Sequence, residues 1–372
     1  MIRMKILMVE NFLPGNRYTL ELCKELTKIV QVDVACRIDA GENDGSVRLL
    51  KLLDYRKPNK QAFLWHWSMS MLLLVKTIVL GKYDIIHVQG TMLPQLEFPL
   101  YTFLKGKRRK LVYTVHNILP HEAKESDKER CQNFYRQCDR LVVHNNWTRE
   151  QLVDEYGIRS DRIVVMPHGT YQTKQVPSAD QTSAKRFLSF GMIRKYKGID
   201  ILLYAIAALP KQEREKMHFV IAGAQNKKLD DTPYREMIEQ LGISGCTEFL
   251  DRRIADAELP GLFASADACL FPYREIYGSG ALLMAYSYEK PVIASDVPAF
   301  VEETNKGETG LLFQNENAGS LAKALVAFAK LSEQEVAKKK AAIHRMVEEK
   351  YNWRHSAGLL KKMYQDLSEE KV

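Results

Sequence analysis

Nowhere in the 372 residues do two aspartates stand with a single residue between them. That removes the commonest short carboxylate pair for a divalent cation, and no His/Cys cluster has metal-ligand spacing, so no metal site is expected. The six cysteines, Cys23, Cys36, Cys131, Cys138, Cys246 and Cys269, are scattered and include no C-x-x-C pair. A disulfide framework is thereby excluded and reduced thiols are expected. Also missing are a K/R-rich nucleic-acid module, an aromatic RNP-type segment, a solenoid repeat and any low-complexity tract. The net charge of +8 and pI near 9.0 therefore point to an anionic membrane surface or phosphorylated substrates before nucleic acid. The N-terminal MIRMKILMVENF has only a short apolar run before Glu10, which reads as a first strand and not as a signal peptide. Only Ala62 to Leu80 approaches membrane-spanning length. It contains His66, Lys76 and three hydroxyl residues, so a buried or interface-docking helix is expected and not a span.

What is present is a chain 46% hydrophobic, long enough for two domains. Apolar runs of strand length recur between helix-like segments: Ile6 to Val9, Val32 to Ala35, Ile85 to Val88, Leu111 to Val115, Leu141 to Val143 and Ile163 to Met166. A second series follows at Phe187 to Phe190, His218 to Ala222, Thr247 to Leu250, Ala268 to Phe271, Val292 to Ala294 and Leu311 to Phe313. Such alternation predicts α/β architecture, with two doubly wound parallel sheets. The polar, Pro- and Ser-containing stretch Thr173 to Ala184 is the expected join. An N-terminal domain over residues 1–175 and a C-terminal domain over 184–350 follow, with ligands expected at the carboxyl ends of the strands. Two cations, Arg194 and Lys197, stand in the turn after a strand, within FGMIRKYKG. Further on, Gly278-Ser279-Gly280 opens a helix. Cations facing helix N–H groups make a cradle for a diphosphate.

These phrases, together with YDIIHVQG, VYTVHNILPHE, RIVVMPHGTY, FVIAGAQN and GETGLLF, resemble the glycogen-synthase-like glycosyltransferases of family 4, which have the GT-B fold. The similarity covers most of the chain. It implies two Rossmann-like domains facing a cleft, the first on the acceptor side and the second on the donor side, with a last helix (residues 353–372) crossing back to the first. It also implies retaining transfer, without metal or cofactor, from a UDP- or GDP-linked sugar to a saccharide or lipid-linked saccharide, as in cell-envelope or exopolysaccharide synthesis. A cytoplasmic protein at the inner face of the membrane fits that role.

The same resemblance assigns residues. Arg194 and Lys197, after Gly191, would stabilise the leaving diphosphate; the alternative is an ordinary solvated loop pair. The family Arg directly follows the Gly, where this chain has Met192. Glu275 would lie beside the donor hexose, or else be a surface acid at a helix start. The family's second Glu, which binds ribose, falls at Met284 and is missing, and a thioether cannot replace a carboxylate acceptor. Tyr277, Gly278, Ser279 and Gly280 would meet the donor, with a plain N-cap as the other reading of Ser279. His116 would meet a sugar hydroxyl and His168, where the family has Asn, would line the site. Gly15 and Asn16 stand where the family has a Gly-Gly pair, and Glu302 follows a stretch whose two glycines are replaced by Pro298 and Ala299. Two rivals remain open: a degenerate subunit that binds without turnover, motivated by the missing Glu and by Met192, and a GT-B epimerase or phosphorylase, which would share the fold and the phosphate site.

Overall fold

The computed structural model describes residues 4–370 apart from 14, 16, 42–43, 57–58, 107, 121–123, 172 and 174–183. The chain divides into two compact units, Met1–Gly169 with Asn352–Val372, and Thr170–Tyr351. The division falls just before the expected join, of which residues 174–183 lie outside the described ones.

The first unit holds seven strands: β1 Lys5–Val9, β2 Gln31–Arg37, β3 Arg48–Leu53, β4 Ile85–Val88, β5 Lys110–Thr114, β6 Arg140–Val143 and β7 Ile163–Val165. They lie in the order β3-β2-β1-β4-β5-β6-β7, every neighbour parallel. Sequence order reverses between β1 and β4, and their carboxyl ends open onto Glu10 to Leu13 and onto Gln89 and Gly90. Such a switch point is where doubly wound sheets leave room for ligands. β3 has no counterpart in the expected strands. It is an edge strand with a mixed burial pattern, so its RLLKLL lacks the continuous apolar signal of a central strand.

One face of this sheet is covered by the helix Tyr18–Leu26 and by the C-terminal helix Trp353–Glu369. Trp353, Ala357, Leu360, Met363, Tyr364 and Leu367 form a helical stripe packed with Tyr18, Leu22 and Leu26. Fully burying one such leucine contributes about 1.5–3 kcal/mol, so the returning helix belongs structurally to the first unit.

The second unit has six strands: β8 Lys185–Phe190, β9 Met217–Ala222, β10 Thr247–Leu250, β11 Ala268–Phe271, β12 Val292–Ser295 and β13 Gly310–Phe313. Their order is β10-β9-β8-β11-β12-β13, again all parallel. The switch point lies between β8 and β11. The turn with Arg194 and Lys197 and the loop with Gly278–Gly280 therefore leave neighbouring strands at the same edge.

Candidate functional site

In the second unit, β8 ends at Phe190 and its backbone turns at Gly191, whose φ is +115°. A Cβ at Gly191 would stand 2.8 Å from Lys197 Nζ and 3.9 Å from the Ala281 side chain. Glycine thus clears the space that the Lys197 ammonium fills, and that space adjoins the first turn of the helix Gly280–Ser287. Gly223, after β9, is needed for the same turn, because a Cβ there would lie 2.0 Å from Gly191 O. Lys197 itself closes a 3-10 turn, Lys195–Lys197, that stops at Gly198.

Lys197 is 9% exposed, and its ammonium lies 5.2 Å from the centroid of the Tyr273 ring. Burial lowers its pKa, and the Arg194 charge acts the same way, although Tyr196 opposes them. An incoming anion would relieve that penalty. Arg194 is only partly buried, one turn earlier.

Arg274, which the sequence reading passed over, ties the two loops together. Its backbone N–H donates to Tyr196 O at 2.7 Å and its Nη1 to Lys195 O at 2.8 Å. Its guanidinium also donates to both Asp200 oxygens, at 3.0 and 2.6 Å, and Asn315 Nδ2 donates to Arg274 O at 2.9 Å. The next residue, Glu275, is exposed, and Tyr277 and Gly278 are partly exposed.

Ser279 is 6% exposed and its Oγ accepts from Leu282 N at 3.2 Å, so the hydroxyl caps the helix. The amides of residues 280 and 281 remain for a ligand, and the cap leaves the hydroxyl's own proton unused. Met284 lies half-buried in the same helix, where no carboxylate is supplied. Glu302, on Pro298–Glu303, has Lys350 Nζ at 3.6 Å.

In the first unit the carboxyl ends of β5, β6 and β7 bring His116, His144 and His168 around Tyr18. The Tyr18 ring centroid lies 4.8, 5.4 and 4.9 Å from the three imidazoles and 5.2 Å from Trp353. His144 Nε2 is 3.0 Å from His116 Nδ1, and His144 Nδ1 is 3.0 Å from Met166 O. His168 Nδ1 donates to Gly169 O at 2.6 Å. Burial pushes the pKa of His116 well below the usual imidazole range, helped by the neighbouring imidazoles; His144 is brought down to about 4 and His168 to about 3. All three rings are neutral at physiological pH.

At the switch point itself Glu10 is 1% exposed and accepts from Phe12 N at 2.6 Å and from the Thr19 hydroxyl. Burial raises its pKa. It binds the loop after β1 to the start of Tyr18–Leu26; its only sequence signal was a carboxylate ending an apolar strand. Gly15 is exposed, and Asn16 lies outside the described residues. His87 is a core residue, bonded to Tyr364 Oη at 2.5 Å and Thr114 Oγ1 at 2.8 Å. Among the described residues no group of three His, Cys, Asp or Glu side chains is placed to hold a metal ion.

Two family models match in tandem, one described as Glycosyltransferase Family 4 over residues 15–171 and one as Glycosyl transferases group 1 over residues 172–345. A D-inositol 3-phosphate glycosyltransferase of Corynebacterium aurimucosum is 26% identical over 271 residues, covering 68% of this chain and 63% of that protein. The chain thus matches less than two thirds of that relative's length. A GDP-mannose:glycolipid 4-beta-D-mannosyltransferase of Xanthomonas campestris pv. campestris is 26% identical over 261 residues, 63% of this chain and 68% of that protein. Among solved structures, Anabaena HepE in complex with UDP and glucose aligns over 98% of this chain and 100% of that one, with a TM-score of 0.75 at 19% identity. Tandem matching domains, two parallel sheets with matching switch points and this fold likeness agree: the chain belongs to family 4 of the glycosyltransferases and has the GT-B fold.

Proposed function

We propose that the protein transfers a glycosyl unit from a UDP- or GDP-linked sugar to a saccharide or lipid-linked saccharide, with retention of configuration, in the assembly of an envelope or exported polysaccharide. The observation that carries this reading is the buried Lys197 ammonium over Gly191, beside the first turn of Gly280–Ser287. Departure of the nucleoside diphosphate breaks the anomeric C–O bond and leaves negative charge on the β-phosphate. Lys197, Arg194 and the amides of residues 280 and 281 stabilise that charge. The acceptor oxygen bonds to the anomeric carbon on the same face, and its proton passes to the departing phosphate, so no side-chain nucleophile is required. His116 and Glu275 contact sugar hydroxyls in this scheme, with Tyr277 and His168 as lining groups. Without a carboxylate at Met284, ribose recognition uses other groups.

A thermal-shift screen of nucleotide sugars tests donor binding, because a ligand of the folded state stabilises it by RT ln(1 + [L]/Kd). Product analysis by NMR with the donor so found tests transfer and retention. The missing Glu at Met284 favours a second reading, a subunit that binds donor without turnover. Donor stabilisation with no product across a broad acceptor panel would select it. Released sugar 1-phosphate or epimerised donor would select a phosphorylase or an epimerase.

Since Lys197 and Arg194 occupy the role that a cation plays in metal-dependent transferases, activity is expected to change little in excess EDTA. Loss of turnover restored by Mg²⁺ or Mn²⁺ would reject this leaving-group chemistry.

The proposed acceptor class brings the protein to a membrane surface from the cytoplasmic side. The helix Lys60–Leu80 supports this, because only 28% of its most apolar window is buried. Trp67, Met71, Leu74 and Ile78 pack inward, while Leu64, Trp65, Met69, Leu72, Leu73, Val79 and Leu80 are exposed. The sequence of the same unit also carries a basic run, Lys105-Gly106-Lys107-Arg108-Arg109-Lys110, which is weaker than its composition suggests. Lys105 pairs with Asp139 at 3.1 Å and Lys110 with Glu370 at 3.8 Å, and Lys107 lies outside the described residues. Docking therefore rests more on Trp65 and Leu72 than on charge. Co-sedimentation with anionic vesicles is expected for the wild type and strongly reduced for a Trp65→Ser, Leu72→Ser double variant. Equal recovery in the supernatant with and without vesicles would favour a soluble acceptor.

A further inference from the structure

Met166 O can only accept, so His144 Nδ1 carries the proton of the 3.0 Å contact between them. The ring is neutral, which leaves His144 Nε2 as a bare acceptor. Its partner at 3.0 Å, His116 Nδ1, must then donate. His116 is also neutral, so its Nε2 is left without a proton. That atom makes no hydrogen bond with any described residue, and the side chain is partly exposed. One carbonyl and two imidazoles in a row thus set the proton position on a ring at the carboxyl end of β5. Tyr18, edge-on to both imidazoles, and the strand ends beneath them hold the two planes in place.

We propose that His144 is a positioning residue whose hydrogen bond fixes His116 as the Nδ1–H tautomer, presenting Nε2 as an acceptor for a hydroxyl of the sugar substrate. This rests on the reading of His116 as a substrate contact. The opposite tautomer would present an N–H and favour an acceptor group, such as a carbonyl or phosphate oxygen. The relay therefore selects a hydroxyl donor at this point, and it does so from a residue that touches no substrate. Outer groups of this type, which hold an imidazole in one orientation, are worth roughly 10–100-fold in the metal sites where they have been measured.

The test is ¹⁵N NMR of histidine-labelled full-length protein, with kinetics on His144→Phe and His144→Gln. Wild-type His116 should show an unprotonated Nε2 and a protonated Nδ1. In His144→Phe the Nδ1 proton loses its acceptor, so the two tautomers should mix. kcat should then fall roughly tenfold with little change in donor KM, by analogy with orienting residues elsewhere. His144→Gln places an amide oxygen near the lost Nε2 and should recover both the tautomer and most of kcat. An Nε2–H tautomer in the wild type, or an unchanged Nδ1–H tautomer in His144→Phe, overturns the proposal. If the wild type turns over no donor, the transferase reading fails, and the tautomer spectra still decide the role of His144.

Discussion

Replacing Lys197 with Met is expected to lower kcat by about 10²-fold or more, the scale on which losing one preorganised charge partner of a transition state is felt. The folded chain should nevertheless be as stable as the wild type or more so. The sign follows from the direction of the pKa shift. Burial lowers the Lys197 pKa, so the folded state holds this proton less tightly than the unfolded chain does, and the charged ammonium opposes folding at neutral pH. Methionine keeps the apolar stem, fits beside Gly191 and removes that opposition; the loss of the contact with the Tyr273 ring is a smaller term. Arg194→Ala should also reduce kcat about 10²-fold, but with no gain in stability, because Arg194 is only partly buried. Opposed changes in kcat and Tm at Lys197 are the expected mark of a site strained for function. Near wild-type turnover in both variants would remove these residues from the mechanism.

The parts of the fold legible in the sequence are those where one physical cause acts locally. Central parallel strands are buried on both faces, so ILMV in β1 and ACLF in β11 read as unbroken apolar runs. The closing helix announced itself by the spacing of Trp353, Leu360, Tyr364 and Leu367 along one stripe. β3 was missed because an edge strand needs apolar residues on one side only. The turn after β8 was found through its glycines and cations, since such turns constrain residue type at fixed positions. Contacts made between strand ends were not legible. Arg274 and Asp200 stand 74 positions apart, and His116 meets His144 only because β5 and β6 are neighbours in the sheet. Along the chain Lys105 and Lys110 stand in a basic run, and their partners Asp139 and Glu370 are too remote in sequence for those pairs to be read there.

Gly198→Ala is the substitution in that turn with the largest expected cost to folding. Two separate causes act on it. The residue has φ +63°, the left-handed region where a Cβ is disfavoured by about 1–2 kcal/mol. The new Cβ would also stand 2.0 Å from Pro272 O and 3.1 Å from Pro272 C, well inside contact distance. Pro272 directly follows β11, whose four residues are all buried, so the carbonyl cannot swing away without moving the strand end. The strain should add about 1–3 kcal/mol, for a total loss of roughly 2–5 kcal/mol. In a unit of this size each kcal/mol lowers the midpoint by about 2–4 °C, so a fall of about 10 °C in the transition of Thr170–Tyr351 is expected. Turnover of the remaining folded protein should fall too, because Gly198 follows Lys197 and Pro272 precedes the loop that Arg274 ties to it. Gly242→Ala provides the control. Its φ is also +63°, but nothing lies within 4 Å of a Cβ there, so only the backbone cost applies. Calorimetry of the two variants separates the causes: Gly198→Ala should lose clearly more than Gly242→Ala, and equal losses would mean that the two loops yield to each other and do not hold Lys197 rigidly.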